Sequence, residues 1–432
     1  MTTLPSYDVA IVGGGIAGCA SAYYLAKKGL SVVLFEKGRI AGEQSGRNWG
    51  FVRQQGRDPV EIPLMIACLR LWRGLEAELQ SDIEWRQGGV LYLAEDDAGM
   101  AGYEAWLGHA KPYQLDSRTI TGAEVAEVLP GMARTFAGGL ITPSDGHADP
   151  VKTTTAFARA AERLGAEIHT GYIVEGIETA GGKAAGLRTE WGEVKAGTVL
   201  LAAGAWTGPM LRMRGQSLPQ LRVRSTVMRT TPAADLTGLG VWCDDFGFRQ
   251  RRDGSFTIGA GAWVDHDIEA DTLRHFRSFW PAMKSISRRP DLHLGWPFIR
   301  DLVSFVDGPG SLRRRMRQDR VLDPAPAPKK LSHALGGFQT LFPEFKDIKI
   351  AQAWAGVIDV TPDEVPVFGE APGLENLIIA TGFSGHGFGM GPITGKLMAE
   401  TIAEGRPSLD LNAFRFTRFS EPRAAAALHS AA

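Results

Sequence analysis

Three features of the sequence predict an α/β fold, in which a discontinuous domain with a parallel sheet is interleaved with an α+β domain built on a mainly antiparallel sheet. The chain opens with an apolar strand, a glycine-rich turn and a helix, and a second strand closes the unit at Glu36. Helix-then-strand and strand-turn-helix patterns recur near the middle and near the end, so pieces of one parallel domain are scattered along the chain. Between them lie aromatic-rich stretches whose polar and apolar residues alternate with the period of antiparallel strands.

The elements follow in order. Tyr7–Val12 is a short apolar run of the kind buried on both faces of a parallel sheet. From Gly15 to Lys28 the spacing of Ile16, Cys19, Ala20, Tyr23 and Tyr24 is helical, and Gly29 stops it. Ser31–Phe35 is the second strand, which completes a β-α-β unit. Pro150 to Leu164 reads as an amphipathic helix through Thr154, Phe157, Ala158, Ala161 and Leu164; Gly165 ends it and the strand Ala166–His169 follows. Lys195–Ala203 is another strand, ending in Gly204. Near the end come a strand at Asn376–Thr381, a glycine-rich turn, and a helix from about Pro392 to Glu404. Leu221–Gly261 alternates like an antiparallel sheet, with a turn at Arg252-Asp253-Gly254-Ser255, and the alternating prolines after Asp323 form a stiff connector. The parallel domain is therefore expected over residues 1–60, 141–215 and 345–432, and its companion over 61–140 and 216–344. The tail Arg423–Ala432 is expected to fray.

Composition narrows the function classes. A chain of 432 residues that is 44% hydrophobic and 22% charged reads as a globular enzyme with ample core. Lys plus Arg is 47 against 48 Asp plus Glu, so no global field favours nucleic acid or an anionic membrane. Cys19, Cys68 and Cys243 are far apart and odd in number, which fits a reducing, cytoplasmic setting rather than a disulfide framework. The first residues lack the basic region of a signal peptide. The apolar stretch Val9 to Ala26 is interrupted by Gly13, Gly14, Gly15 and Gly18, so it reads as strand, turn and helix and not as an integral membrane span.

Gly13-Gly14-Gly15-Ile16-Ala17-Gly18 matches the dinucleotide fingerprint in its proper context. Gly13 permits the tight turn, Gly15 lets the backbone approach a pyrophosphate, and Gly18 lets the helix pack on the strand. Ile16 and Ala17 begin the helix, whose N-terminus faces the phosphates with its positive dipole end. Glu36 lies 23 residues after Gly13, where a carboxylate can accept from ribose hydroxyls. This fingerprint serves NAD and FAD alike. Two further segments favour FAD. Leu200 to Trp206 puts small residues, Ala203 and Gly204 among them, at a strand end where backbone passes a cofactor. The glycine-rich run Thr381–Gly389 opens the last helix and offers a second anion-stabilising site, which the negative N1–C2=O edge of a reduced flavin needs.

With these segments in place, the sequence resembles the D-amino-acid oxidase superfamily of flavoproteins, in the branch with glycine oxidase and sarcosine oxidase. The anchors, spread over nearly the whole chain, are the fingerprint with Glu36, the segment Glu43–Asn48, Asp149-Pro150, Ala202–Trp206, Trp354–Gly356, Thr361–Asp363, and Gly382–Gly387. The resemblance implies a Rossmann-type FAD-binding domain interleaved with a substrate domain. It implies non-covalent FAD held by Gly13–Gly18, Glu36, Lys37, Ser45, the backbone of Val174, Ala203, Gly204, Trp206, Gly382, and Gly385, His386, Gly387, Phe388, Gly389 and Met390. It also implies dehydrogenation of the C–N bond of a small amino acid or N-substituted amino acid, by hydride transfer to flavin N5, to an imine that hydrolyses. Such chemistry needs a grip on the substrate carboxylate, usually an arginine fork. Arg53 is the first candidate, with Arg47 and Arg57 nearby and Arg249 and Arg251 as a second set. His386 polarises the flavin, touches the substrate or serves as a structural hydrogen-bonder. Trp49, Phe51, Trp242, Phe248 and Trp354 either wall a pocket or form plain core. The arginines Arg313 to Arg315, Arg317 and Arg320 read as a solvated helix face.

Two departures from relatives bear on the cofactor. At the positions where flavin is attached covalently in other members, this chain has Gly356 and Asn48-Trp49. Where sarcosine-type oxidases place a lysine that speeds the reaction with oxygen, the rough register gives Thr257. A dehydrogenase or slow oxidase, passing electrons to oxygen or a quinone, is the expectation. A flavoprotein acting on a 2-hydroxy acid is an alternative, since a carboxylate clamp serves both. A non-catalytic or RNA-modifying flavin-binding protein is a third, lacking here the basic face or reactive cysteine motif expected of it.

Overall fold

Tyr7–Val12 is apolar on both faces because it lies in the middle of a covered sheet. In the computed structural model, which describes residues 6–285, 290–296, 298–299, 301 and 309–421, this strand pairs in parallel with Val32–Glu36 and with Gly192–Leu201. Glu167–Thr170 extends the sheet beyond Val32–Glu36, and Leu377–Thr381 extends it beyond Gly192–Leu201. The edge strand Val367–Glu370 is antiparallel. Val9, Ile11 and Leu34 point into a core shared with the helices Ile16–Lys27, Pro150–Arg163 and Gly387–Glu404. Ala10, Val12, Val33 and Phe35 point the other way, onto the antiparallel strands Val174–Ala180 and Lys183–Thr189. The fraying expected of Arg423–Ala432 lies outside the described residues.

The first and last helices touch through glycines. A Cβ on Gly395 would lie 2.4 Å from the Ala20 carbonyl carbon, and one on Gly391 would lie 2.2 Å from the Ile16 side chain. The last helix begins at Gly387, earlier than the expected start at Pro392. Glycines at 387, 389 and 391 lower the local helix propensity and hide the first turns from a reading of pattern. Packing against Ile16–Lys27 and Ile62–Leu79 holds those turns in place.

The second sheet has ten strands and is mixed but mainly antiparallel. Its spine is Leu221–Thr230, paired over its whole length with Ile350–Val360. One face is covered by the helix Pro328–Leu341, where Phe338 and Phe342 pack on Phe246, Phe248 and Phe256. The other face looks toward the first sheet across a cavity. Two segments cross the expected domain boundaries. Ile350–Val360 belongs to the second sheet by its hydrogen bonding, and Ile62–Leu79 packs into the core of the first. The arginine cluster also departs from a solvated face. Arg315 is buried against Asp301, Arg317 meets Glu175, and Arg320 donates to Glu190 and to the Gly171 carbonyl. No helix among the described residues is long and apolar enough to cross a membrane.

Candidate active site

The glycine turn is set by contacts that leave no room for side chains. Gly13 has φ +108°, its N–H donates to the Phe35 carbonyl at 2.8 Å, and a Cβ there would lie 2.4 Å from the Ala202 oxygen. A Cβ on Gly18 would lie 2.0 Å from the Gly13 oxygen, so Gly18 seats the helix beneath the turn. Glu36 ties the turn together by accepting from the N–H groups of Gly14 and Gly38, both at 2.7 Å. Burial pushes the Glu36 carboxyl up, and these two donors oppose it. Ser45 accepts from the Ile16 N–H at 2.9 Å.

A cavity of about 510 Å³ runs past these groups to the second sheet. At the glycine-turn end its wall includes Gly13, Gly15, Ile16, Ala17, Glu36, Lys37, Ser45, Val174, Ala203, Gly204 and Trp206. Farther along come Gly385, His386, Gly387 and Phe388, at the start of the last helix. Lys37 is already engaged there. Its ammonium pairs with Glu43, donates to the carbonyls of Asp319 and Arg320 at 2.8 and 2.9 Å, and sits 4.7 Å from the centre of the Trp206 ring. Glu43 also accepts from Trp206 Nε1 and the Leu322 N–H, so a segment after the last arginine of the cluster is latched onto the glycine-turn end.

Four of the expected cofactor residues stand back from the cavity. Gly18 underlies the turn. Gly382 gives its N–H to Asp359 at 2.8 Å, and a Cβ there would strike Thr361. The Gly389 carbonyl accepts from Trp72 Nε1 at 2.9 Å and from Cys68, and Met390 is fully buried in the helix core.

The other end of the cavity is polar and charged. Asp145 accepts from the N–H groups of Gln54 and Gln55, which fixes a tight turn between Arg53 and Arg57. Arg53 lines the cavity, donates Nη1 to the Gln55 carbonyl, and lies 5.4 Å from the Tyr92 ring centre. Arg57 is 2% exposed; its Nε donates to the Arg53 carbonyl at 3.1 Å and its Nη1 has no partner. Burial, reinforced by the Arg53 charge, pushes its pKa down to about 10. Glu61, at the start of Ile62–Leu79, is wholly buried, and neither carboxylate oxygen has a hydrogen-bond partner. His386 Nδ1 lies 3.7 Å from Glu61 Oε2. Burial, with the Arg57 charge, pushes His386 down to about 4, so the imidazole is neutral near pH 7.

The remaining candidates fall on either side of this wall. Arg47 lines the cavity, with its guanidinium donating to the carbonyls of Gly42 and Ala355 and to Asp323. Arg249 does not reach the cavity. It is 1% exposed and donates Nε to the Trp49 carbonyl, behind the Trp49-Gly50 backbone. Arg251 pairs with Asp149, the N-cap of Pro150–Arg163. Trp49, Phe51 and Trp242 line the cavity, whereas Phe248 is core on the far face of the sheet, and Trp354 donates to the Arg47 carbonyl outside the wall. Thr257 is buried between Arg229 and Arg249 on the neighbouring strands and does not line the cavity. Gly356 does line it. Glu61, Asp58, Tyr92 and Glu364 also line this end, and the sequence pattern does not single them out. Only the four-residue spacing of Arg57 and Glu61 at a helix start hints at one of them.

The wall fits a flavin dinucleotide. It has a side-chain-free turn at a helix N-terminus, a half-buried carboxylate at the end of the next strand, and a second glycine-rich helix start beyond them. Comparison with known proteins agrees. The family model described as FAD dependent oxidoreductase matches residues 8–401. The sarcosine oxidase subunit beta of Rhizobium meliloti (strain 1021) is 28% identical over 422 residues, covering 96% of this chain and 89% of that one. The glycine oxidase of Bacillus subtilis (strain 168) is 26% identical, over 95% of this chain and 97% of its own. Among solved structures, the L-amino acid deaminase from Proteus myxofaciens in complex with anthranilate superposes with a TM-score of 0.91 at 28% identity, covering 98% of this chain and 95% of that one.

Proposed function

From the premise that this chain belongs to the FAD-dependent oxidoreductase family and is a flavoenzyme, we propose that it dehydrogenates the C–N bond of a small amino acid or N-substituted amino acid. The observation that carries the reading is the pairing of Arg53 and Arg57 in one cavity wall, with unused guanidinium donors beside His386 and Glu61. Two guanidiniums so placed hold a carboxylate by charge-assisted hydrogen bonds and fix the carbon next to it.

The residues that would hold FAD are Gly13, Gly15, Ile16, Ala17, Glu36, Ser45, Val174, Ala203, Gly204, Trp206 and Gly385 to Phe388, all in the same wall. When bound, FAD supplies the hydride acceptor. Trp49, Phe51, Tyr92 and Trp242 exclude water from the reacting carbon and limit the substrate's size. Gly356 and Asn48-Trp49 offer no cysteine or histidine for attachment, in keeping with non-covalent flavin. Three buried, unpaired cysteines are in keeping with a cytoplasmic setting. A 2-hydroxy acid would meet the same arginines, but the unpaired Glu61 carboxylate favours a cationic amine over a hydroxyl.

The test is anaerobic bleaching of the holoenzyme flavin against D- and L-amino acids, N-alkyl amino acids, imino acids and 2-hydroxy acids. Bleaching by an amino or imino acid is expected. Bleaching by hydroxy acids alone would move the reading to C–O chemistry.

A further inference from the structure

The Arg53–Arg57 clamp leaves one group at this end of the cavity without a task. Glu61 is a wholly buried carboxylate whose two oxygens lack hydrogen bonds, and it lines the cavity. A carboxylate so placed is costly unless something else satisfies it. His386 Nδ1 lies 3.7 Å from Glu61 Oε2 and is itself without a hydrogen bond. An imidazole whose Nδ1–H faces a carboxylate presents its Nε2 lone pair elsewhere, and that arrangement accepts protons.

Resting on the amine-dehydrogenase reading above, we propose that Glu61 and His386 form a dyad that takes the proton from the substrate's ammonium group and so delivers it as the neutral amine. The step balances in one proton. The ammonium N–H bond breaks, its electron pair stays on nitrogen, and the proton moves to His386 Nε2. The new imidazolium keeps its Nδ1–H toward the negative Glu61. The proton returns to solvent after the product leaves, and the two electrons of the oxidation do not pass through the dyad.

The surroundings make this base dependent on substrate. Arg57 and Arg53 face the dyad from the turn, Asp58 sits beside them, Glu364 approaches from the loop after Thr361, and Asp363 is engaged by Arg418. Burial pushes Glu61 up, whereas the Nδ1 edge of His386 and the Arg57 and Arg53 charges pull its carboxyl down. Burial and the Arg57 charge keep His386 neutral. A substrate carboxylate on the arginines offsets that charge, so His386 gains proton affinity when there is a proton to take.

Methoxyacetate carries the carboxylate of N-methylglycine without its ammonium, which makes it a direct probe. In holoenzyme with ¹⁵N-labelled histidine, NMR should show His386 as the Nδ1–H tautomer. Methoxyacetate should raise the imidazole's proton affinity at least about tenfold, one pH unit, and the rise should be lost in Glu61→Gln. An Nε2–H tautomer, or no change on binding, overturns the dyad. Failure of methoxyacetate to bind overturns it too, and together with an empty bleaching panel would sink the amine reading itself. The kinetic arm uses the amino acid that bleaches the flavin fastest. Glu61→Gln should lower kcat by about thirtyfold at pH 7 and less than about threefold at pH 10, where a large share of the amine is neutral without help from a base. A deficit of equal size at both pH values would mean a structural role and would overturn the proposal.

Discussion

Truncating Arg53 to alanine separates substrate binding from everything else the cavity does. The side chain donates to the Gln55 carbonyl and approaches the Tyr92 ring. Losing both costs the fold about 1 kcal/mol for the hydrogen bond and about 0.5–1 kcal/mol for the ring contact. A chain with cores this extensive should remain folded and yellow. The bond from Arg57 to the Arg53 carbonyl survives, because it uses the backbone. The loss in the transition state is larger. A charge-assisted, water-excluded grip on a carboxylate is worth about 3 kcal/mol, close to a hundredfold in kcat/KM. Arg57 keeps an unpartnered Nη1 in the same wall, which caps the loss near that figure. Arg53→Lys should fall between, since a point charge lacks the planar fork. The assay is anaerobic stopped-flow reduction, with the visible spectrum as a check that flavin is present. A kcat/KM for Arg53→Ala within about fivefold of the native value would refute the assignment and move the carboxylate to Arg57.

Other outcomes follow from the same geometry. Gly15→Val should yield protein with little or no flavin absorbance, because a Cβ at Gly15 already lies 3.0 Å from Ser45 Oγ and the added methyls have only the cavity to enter; stoichiometric FAD would contradict this. Acid precipitation should release FAD into the supernatant, and a yellow pellet would mean covalent attachment. Air reoxidation of reduced enzyme should be slow beside that by an artificial quinone, and fast hydrogen peroxide formation would refute that. Thr257→Lys should not accelerate reoxidation; it should lower the melting temperature, because it buries a third cation between Arg229 and Arg249 on adjoining strands. His386 binds its proton at about 4 in the fold, against about 6.5 in an unfolded chain. The unfolded state therefore holds more protons in that window, so this residue's share of stability is full above pH 6.5 and declines toward pH 4. A His386→Asn variant should lose less melting temperature than the native protein over that range, and parallel losses would refute the shift.

What can be read from the sequence depends on whether the signal is local. The β-α-β unit, Glu36 and the second glycine-rich turn declare themselves because each needs particular residues at fixed spacing. Leu221–Gly261 shows its alternation, yet alternation does not say which face meets the cavity. Phe248 and Arg249 are neighbours, one in the aromatic core under Pro328–Leu341 and the other behind Trp49. Ile350–Val360 reads from the sequence as part of the C-terminal piece of the parallel domain, because its true partner, Leu221–Thr230, lies more than a hundred residues earlier. Glu61 is inconspicuous in the sequence because an acidic residue at a helix start is ordinary; only the packing around it makes it a buried carboxylate without hydrogen bonds, facing His386.

The contact between the first and last helices has a consequence for how the protein is made. A ribosome delivers Gly13–Gly18 well before Leu377–Thr381 and before Gly387–Glu404, the helix that packs on Ile16–Lys27. Until then Gly192–Leu201 has an open edge and the face of the first helix that will meet Gly391 and Gly395 is bare. The early segments must wait with apolar surface uncovered while the chain between the two helices is made, the condition under which nascent chains aggregate or recruit chaperones. Flavin capture accordingly follows synthesis of Gly387–Glu404, whose start lines the cavity, and the yield of holoenzyme in a cell should depend on how quickly the chain between the two helices is translated.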